Sequence, residues 1–292
     1  MLTQIPATET RYILTLSCAD RPGLVAAVAK FLRDLDCTIV DAAQHGDQAT
    51  GHFFFRAEFE FIGSVGGKIC DELRSEFGSI AAAFGMEWRI DAAAKKPKVI
   101  IAVSKFGHCL NDLLYRWRSG ALHAEICAVV SNHETMRDLV DWYGIPYHFL
   151  PVDKSTKADQ EAAFHGLVEE YGADLVVLAR YMQILSDDLC RKLDRRCINI
   201  HHSFLPSFKG ARPYHAAFDR GVKLVGATAH FVTPDLDEGP IIEQDVIRIG
   251  HGDTPESLIA KGRDVEASVL ARAVKWWTEH RVMLNGDKTV VF

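Results

Sequence analysis

Asn199 and His201 stand two residues apart at the end of a short apolar run, Cys197-Ile198-Asn199-Ile200, just before a loop rich in Ser, Pro, Lys and Gly. The run has the composition of a strand, and residues two apart on a strand project to the same face. An amide donor beside an imidazole is the equipment needed to hold a developing oxyanion and to move a proton. A second segment, 228–240, reads as a strand running into an acidic loop that holds Asp235 and Asp237. A carboxylate from Asp237 would favour protonated His201 and fix its orientation. His230 could in turn orient Asp237 or a water. A third segment, 178–185, is a strand end followed by an apolar loop, Met182-Gln183-Ile184-Leu185. No serine or cysteine occupies an evident nucleophile elbow. Direct attack by water or by a bound amine therefore fits better than a covalent intermediate.

Each residue also has a plainer reading. Asn199 alone is a good turn former at a strand end. His201 alone reads as a satisfied core histidine, and Asp235 as part of a solvated acidic loop. Met182, Ile184 and Leu185 have the composition of a core as much as of a ligand wall. His201 and His202 are adjacent on a strand and point to opposite faces, which makes them poor co-ligands for a metal; none is expected.

The chain has 292 residues, 48% hydrophobic and 25% charged, enough for one large domain or two ordinary ones. A net charge of −6 leaves no electrostatic footprint for nucleic acid or an anionic membrane. No apolar run reaches the length of a membrane span, and residues 1–11 lack the regions of a signal peptide. The seven cysteines are scattered, with no C-x-x-C, so a reduced cytoplasm is expected.

The elements that must carry these residues fall in two blocks. Residues 12–18, 37–40, 53–61 and 85–90 read as strands, with helices over 24–35 and 67–77. That order, β-α-β-β-α-β, is ferredoxin-like. Ala92-Ala93-Ala94-Lys95-Lys96-Pro97 reads as a linker. Beyond it, strands at 98–103, 125–130, 146–150, 175–178 and 196–200 alternate with helices at 109–119, 134–143, 157–171 and 187–193. Such alternation predicts a doubly wound, mostly parallel α/β sheet, with ligands outside the carboxyl ends of its strands. Further strands are read at 224–232 and 241–249, with helices near 214–219 and 254–279. A terminal hairpin spans 282–292 around Asn285-Gly286. The domains are expected at 1–93 and 94–292.

The first block resembles an ACT domain, a small regulatory module, over about ninety residues. The turn Asp20-Arg21-Pro22-Gly23 lies where that family binds amino acids. The resemblance implies a regulatory site at Asp20, Gly23 and Leu24 with an amino-acid effector. It also implies pairing into a homodimer or homotetramer. The second block carries Asn199-x-His201-x-Ser203-x-Leu205-Pro206, followed about thirty residues on by His230-Phe231-Val232 and then Asp237-x-Gly239. This set resembles the folate-dependent formyltransferases, and the two blocks together resemble the formyltetrahydrofolate deformylases. The resemblance implies catalytic roles for Asn199, His201 and Asp237, with His230 in support. It implies a folate site walled by Met182, Gln183, Ile184, Leu185 and Asp235. It implies hydrolysis of 10-formyltetrahydrofolate, a substrate rather than a cofactor, with no further cofactor. The alternative is transfer of the formyl group to an amine acceptor. Against transfer, the loop after the first strand of this block, Ser104-Lys105-Phe106-Gly107-His108, has one glycine and a bulky phenylalanine. Glycinamide ribonucleotide transferases carry a Gly-rich phosphate loop there. The segment 209–215 resembles the deformylase version of its loop.

Overall fold

The computed structural model of the chain describes residues 11–62, 69–206 and 213–292. The predicted helix start at 67 and residues 209–212 of the deformylase-like loop lie outside the described residues.

In the first block the elements are β1 (Arg11–Ala19), α1 (Leu24–Asp34), β2 (Cys37–Asp47), β3 (His52–Phe61), α2 (Ile69–Phe84) and β4 (Glu87–Ala92). The strands form an antiparallel sheet in the order β2-β3-β1-β4. Alternate residues of β1, Tyr12, Leu14, Leu16 and Cys18, are buried on one face. They join Leu24, Val28, Phe31 and Leu32 of α1, spaced as one helical stripe, and Leu73, Phe77 and Ala81 of α2. Two elements run longer than their sequence pattern suggests. β2 continues to Asp47 through a polar stretch because its backbone stays paired with β3 down the hairpin. α2 continues past Gly78 to Phe84. A helical glycine costs about 1 kcal/mol, and the alanines at 81–83 favour continuation. The helix ends before Gly85, whose φ of 64° is the left-handed conformation that favours glycine after a helix. β4 therefore begins at Glu87, two residues later than predicted.

Two compact units divide the chain, and the division differs in the tail from the expected 1–93 and 94–292. The first holds residues up to Lys96 together with Glu279–Asn285 and Val290–Phe292; the second holds Pro97–Thr278 and Gly286–Thr289. Arg56, 6% exposed, donates from Nε and Nη2 to the Glu279 carbonyl at 3.3 and 3.2 Å. Asn285 Nδ2 donates to Asp47 Oδ2 at 2.7 Å. These hydrogen bonds capture the tail for the first unit and leave no trace in hydrophobic periodicity.

The second unit contains β5 (Lys98–Val103), α3 (His108–Arg118), β6 (Glu125–Ser131), α4 (Arg137–Trp142), β7 (Tyr147–Phe149) and α5 (Lys157–Tyr171). It continues with β8 (Leu175–Leu178), α6 (Asp187–Lys192), β9 (Cys197–His201), α7 (Pro213–Asp219), β10 (Leu224–Phe231), β11 (Ile241–Arg248) and α8 (Pro255–Thr278). A terminal hairpin, β12 (Val282–Asn285) and β13 (Lys288–Val291), closes the chain. The sheet order is β11-β10-β9-β8-β5-β6-β7. β9, β8, β5, β6 and β7 are parallel, and the chain reverses its winding between β5 and β8, where such sheets bind ligands. β10 is antiparallel to β9 and to β11. The rule of strand carboxyl ends thus applies to β5, β8 and β9 but not to β10, whose carboxyl end lies beside the amino end of β9. Val232 N, just past β10, donates to Cys197 O at 2.9 Å there.

Candidate active site

Antiparallel pairing puts His230 opposite Asn199 and Thr228 opposite His201. Opposed residues share a face, so all four side chains stand together. The Asn199 amide nitrogen lies 3.2 Å from His230 Nε2. His230 Nδ1 lies 2.8 Å from its neighbour's carbonyl, Phe231 O. A carbonyl only accepts, so Nδ1 carries a proton, and in the neutral ring Nε2 accepts from Asn199.

Asp237 reaches this face from the loop after β10. Phe231 N donates to Pro240 O at 2.9 Å, which closes the loop at its base. Gly239 packs against the Phe231 carbonyl so tightly that a Cβ would collide with it. Asp237 itself is left-handed, with φ 59°, a conformation that aspartate tolerates better than most residues. The loop folds back and sets Asp237 Oδ1 3.2 Å from His201 Nδ1 and 3.7 Å from His230 Nε2. The His201 imidazole beside it, and to a lesser degree the nearby His230, hold the carboxyl well below the usual carboxylate range.

With Nδ1 turned to Asp237, His201 Nε2 is buried and has no hydrogen-bond partner among the described residues. A buried polar atom without a partner costs free energy, and here it stands in a cluster equipped for carbonyl chemistry. Thr228, fully buried, stabilises the turn that follows. Its Oγ1 donates to Ser203 O and accepts from Leu205 N, both at 3.0 Å, and from Gln244 Nε2 at 2.9 Å. His202 was expected on the face opposite His201, but β9 ends at His201 and the two rings lie 5.1 Å apart, centroid to centroid. Burial lowers the His202 pKa to about 4, which keeps it neutral at pH 7.

The 182–185 loop is pinned between strands. Ser104 N donates to Arg180 O at 3.2 Å, and Ser104 Oγ accepts from Met182 N at 2.9 Å while donating to Asn132 Oδ1 at 2.7 Å. Met182 and Ile184 are exposed, at 51% and 60%, and Gln183 is half-buried. Leu185 instead packs in the core with Leu189, Cys190 and Leu178. Asp235 is exposed, and its carbonyl accepts from Thr233 Oγ1 and Glu238 N. In the first unit, Asp20 is exposed, Gly23 has φ 96° at the start of α1, and Leu24 is buried in the core.

Residues 97–274 match the Formyl transferase family, and residues 12–65 match the ACT domain. The chain is 51% identical over 283 residues to the formyltetrahydrofolate deformylase of Corynebacterium sp. (strain P-1), covering 97% of this chain and 98% of that one. It belongs to the formyltetrahydrofolate deformylase family. The deformylase of Bacillus subtilis (strain 168) is 48% identical over 285 residues, covering 97% of this chain and 94% of its own. The crystal structure of the Burkholderia mallei ATCC 23344 deformylase matches with a TM-score of 0.92 at 51% identity, over 97% of this chain and 99% of that one.

For this deformylase-family chain, the structure adds residues that the sequence reading passed over. Thr228 and Gln244 brace the turn after His201, and Ser104 braces the 182–185 loop. Glu266 on α8 is 1% exposed and stands 2.9 Å from His108 Nε2 and 3.2 Å from Arg180 Nε. The Arg180 N–H does not aim at the carboxylate, so that contact is an ion pair without a hydrogen bond. Tyr214 OH donates to Glu266 Oε1 at 2.6 Å. Burial raises the Glu266 carboxyl, but His108, Arg180 and Tyr214 outweigh it and leave the pKa below its ordinary value. No local spacing marks any of these residues, because each acts through a partner distant in sequence.

Proposed function

We propose that this chain hydrolyses 10-formyltetrahydrofolate to formate and tetrahydrofolate, with Asn199, His201 and Asp237 as catalytic residues. The observation that carries the reading is His201, bound at Nδ1 by Asp237 and left with a buried Nε2 that has no partner among the described residues, on the same strand face as Asn199. Asp237 is a weak base because its carboxyl is held low. It suits orienting His201 and a water and stabilising an imidazolium. Both its described histidine contacts use Oδ1, which leaves Oδ2 for the water.

Water adds to the formyl carbon and the carbonyl π pair moves to oxygen. The proton shed by the added water, strongly acidic once its oxygen is bonded to carbon, passes to Asp237 Oδ2, which returns it to His201 after the leaving nitrogen has taken His201's proton. The Asn199 amide, held by His230, and His201 Nε2–H donate to that oxyanion. A donor of this kind contributes about 3–4 kcal/mol in comparable sites. Collapse breaks the carbon–nitrogen bond, and His201 passes its proton to the departing nitrogen. Formic acid then loses a proton to solvent. Met182 and Ile184, exposed on a loop tied to β5, support a folate wall; Gln183 and Asp235 would add polar contacts at its edge. Leu185 contributes through the core beneath.

Pure protein incubated with 10-formyltetrahydrofolate alone is expected to release tetrahydrofolate and formate in equal amounts. Strict dependence on an added amine would overturn hydrolysis in favour of transfer.

The ACT unit supports an amino-acid effector at the turn of Asp20 and Gly23, with Leu24 shaping it from the core, and assembly into a homodimer or homotetramer. Calorimetric titration with single amino acids and sedimentation equilibrium test these two points. All seven cysteines are free thiols, which supports a reducing, cytoplasmic location. Among the described residues no helix is long and apolar enough to cross a membrane.

A further inference from the structure

The buried charge cluster on α8 has no part in the chemistry above. Three elements deliver groups to Glu266: Arg180 from the end of β8, His108 from the start of α3 and Tyr214 from α7. Gly262, one turn earlier on α8, lies so close to the Tyr214 ring that a Cβ would collide with it. A metal ion held by His108, Cys109 and Glu266 fits poorly. Arg180 already neutralises the carboxylate, and burial keeps the Cys109 thiol protonated.

Arg180 explains what the cluster is for. Its backbone is left-handed, with φ 63°, a conformation that arginine adopts only when its surroundings hold it there. The backbone carbonyl is held by Ser104 N, and the nine-tenths-buried side chain by Glu266. Two residues on, Met182 begins the exposed wall. The Arg180 guanidinium also lies 5.8 Å from the Phe106 ring centroid, and Arg263 lies 5.4 Å from the same centroid. Phe106 is 44% exposed on the loop after β5. One buried ion pair thus reaches two loops that leave the switch point of the sheet.

We propose that Arg180 and Glu266 are positioning residues that set the 182–185 wall and the Phe106 ring for folate binding without touching the substrate. This rests on the folate reading of the site. The test compares kcat, KM and thermal unfolding for Arg180→Gly, Glu266→Gln, the double variant and Phe106→Ala. Glycine suits the positive φ, so Arg180→Gly removes only the anchor. Each single variant at the pair is expected to raise KM about tenfold with kcat within about twofold, the signature of lost uniform binding. The double variant is expected to be no worse than the poorer single one, since the two act as a unit. Phe106→Ala is expected to raise KM with an unchanged melting temperature. An unchanged KM in folded Arg180→Gly, a multiplicative loss in the double variant, or a fall in kcat at constant KM would each overturn the proposal. A merely structural role would lower the melting temperature and leave the KM of the folded enzyme alone. If the pair variants do not fold, Phe106→Ala decides: an unchanged KM there refutes the positioning role. Wild-type turnover is read in the same assay, and its absence would refute the folate reading instead.

Discussion

His230 stands directly across the β9–β10 ladder from Asn199, with its Nε2 3.2 Å from the asparagine amide nitrogen. One amide hydrogen is thereby spent on His230, which aims the other. Asn199→Ala should lower kcat by about 10²–10³-fold with the fold intact. His230→Ala, which only frees the amide, should cost less. The double variant should fall no further than Asn199→Ala alone, because His230 acts through Asn199. Steady-state kinetics on circular-dichroism-matched variants checks this; equal, independent losses would contradict it.

Asp237 has a folded pKa below its unfolded value. A depressed carboxyl contributes stability that is present above the unfolded pKa, about 3.9, and is lost as pH falls below it. Urea unfolding of wild type and Asp237→Asn should show a stability gap that is constant from pH 7 to about 5 and narrows below about 4. A gap that closes near pH 6 would mean that Asp237 is not the low-pKa group.

His202 acts in the same direction at higher pH, although here folding disfavours the charged form. Burial lowers its pKa to about 4, so the unfolded chain takes up a proton near 6.5 while the folded chain does not. Stability is unaffected above about 6.5 and falls as pH drops toward 4, by up to about 3 kcal/mol. His202→Gln should flatten that decline. His280 in the first unit, lowered to about 4 by its own burial, should leave a similar decline behind. Denaturant midpoints measured across pH 4–7 in the single and double variants separate the two.

Gly239→Ala would force a Cβ against the Phe231 carbonyl. Overpacking of this kind costs about 1–3 kcal/mol, and the displacement falls two residues from Asp237. The expected outcome is a lower melting temperature together with at least about a tenfold loss of kcat. Normal turnover in Gly239→Ala would show that the loop adjusts without moving the carboxylate.

The sequence determined the elements and the family. Apolar runs and helical stripes placed every strand and helix to within a few residues, apart from β2 and α2. There, continued pairing with β3 and a tolerated Gly78 outweighed local pattern. Asn199 and His201 were legible because their relation is local: two residues on one strand share a face. What only the tertiary structure decided was nonlocal. An antiparallel β10 set His230 and Thr228 opposite Asn199 and His201. A left-handed Asp237, in a loop seated by Gly239, brought the carboxylate back over that face. Leu185 went to the core although Met182 and Ile184 faced outward. Glu266 became the shared partner of groups from β8, α3 and α7. Periodicity reports which face of one element is apolar. It carries no record of strand direction, of positive φ, or of which distant polar groups meet, because these are settled by packing between elements.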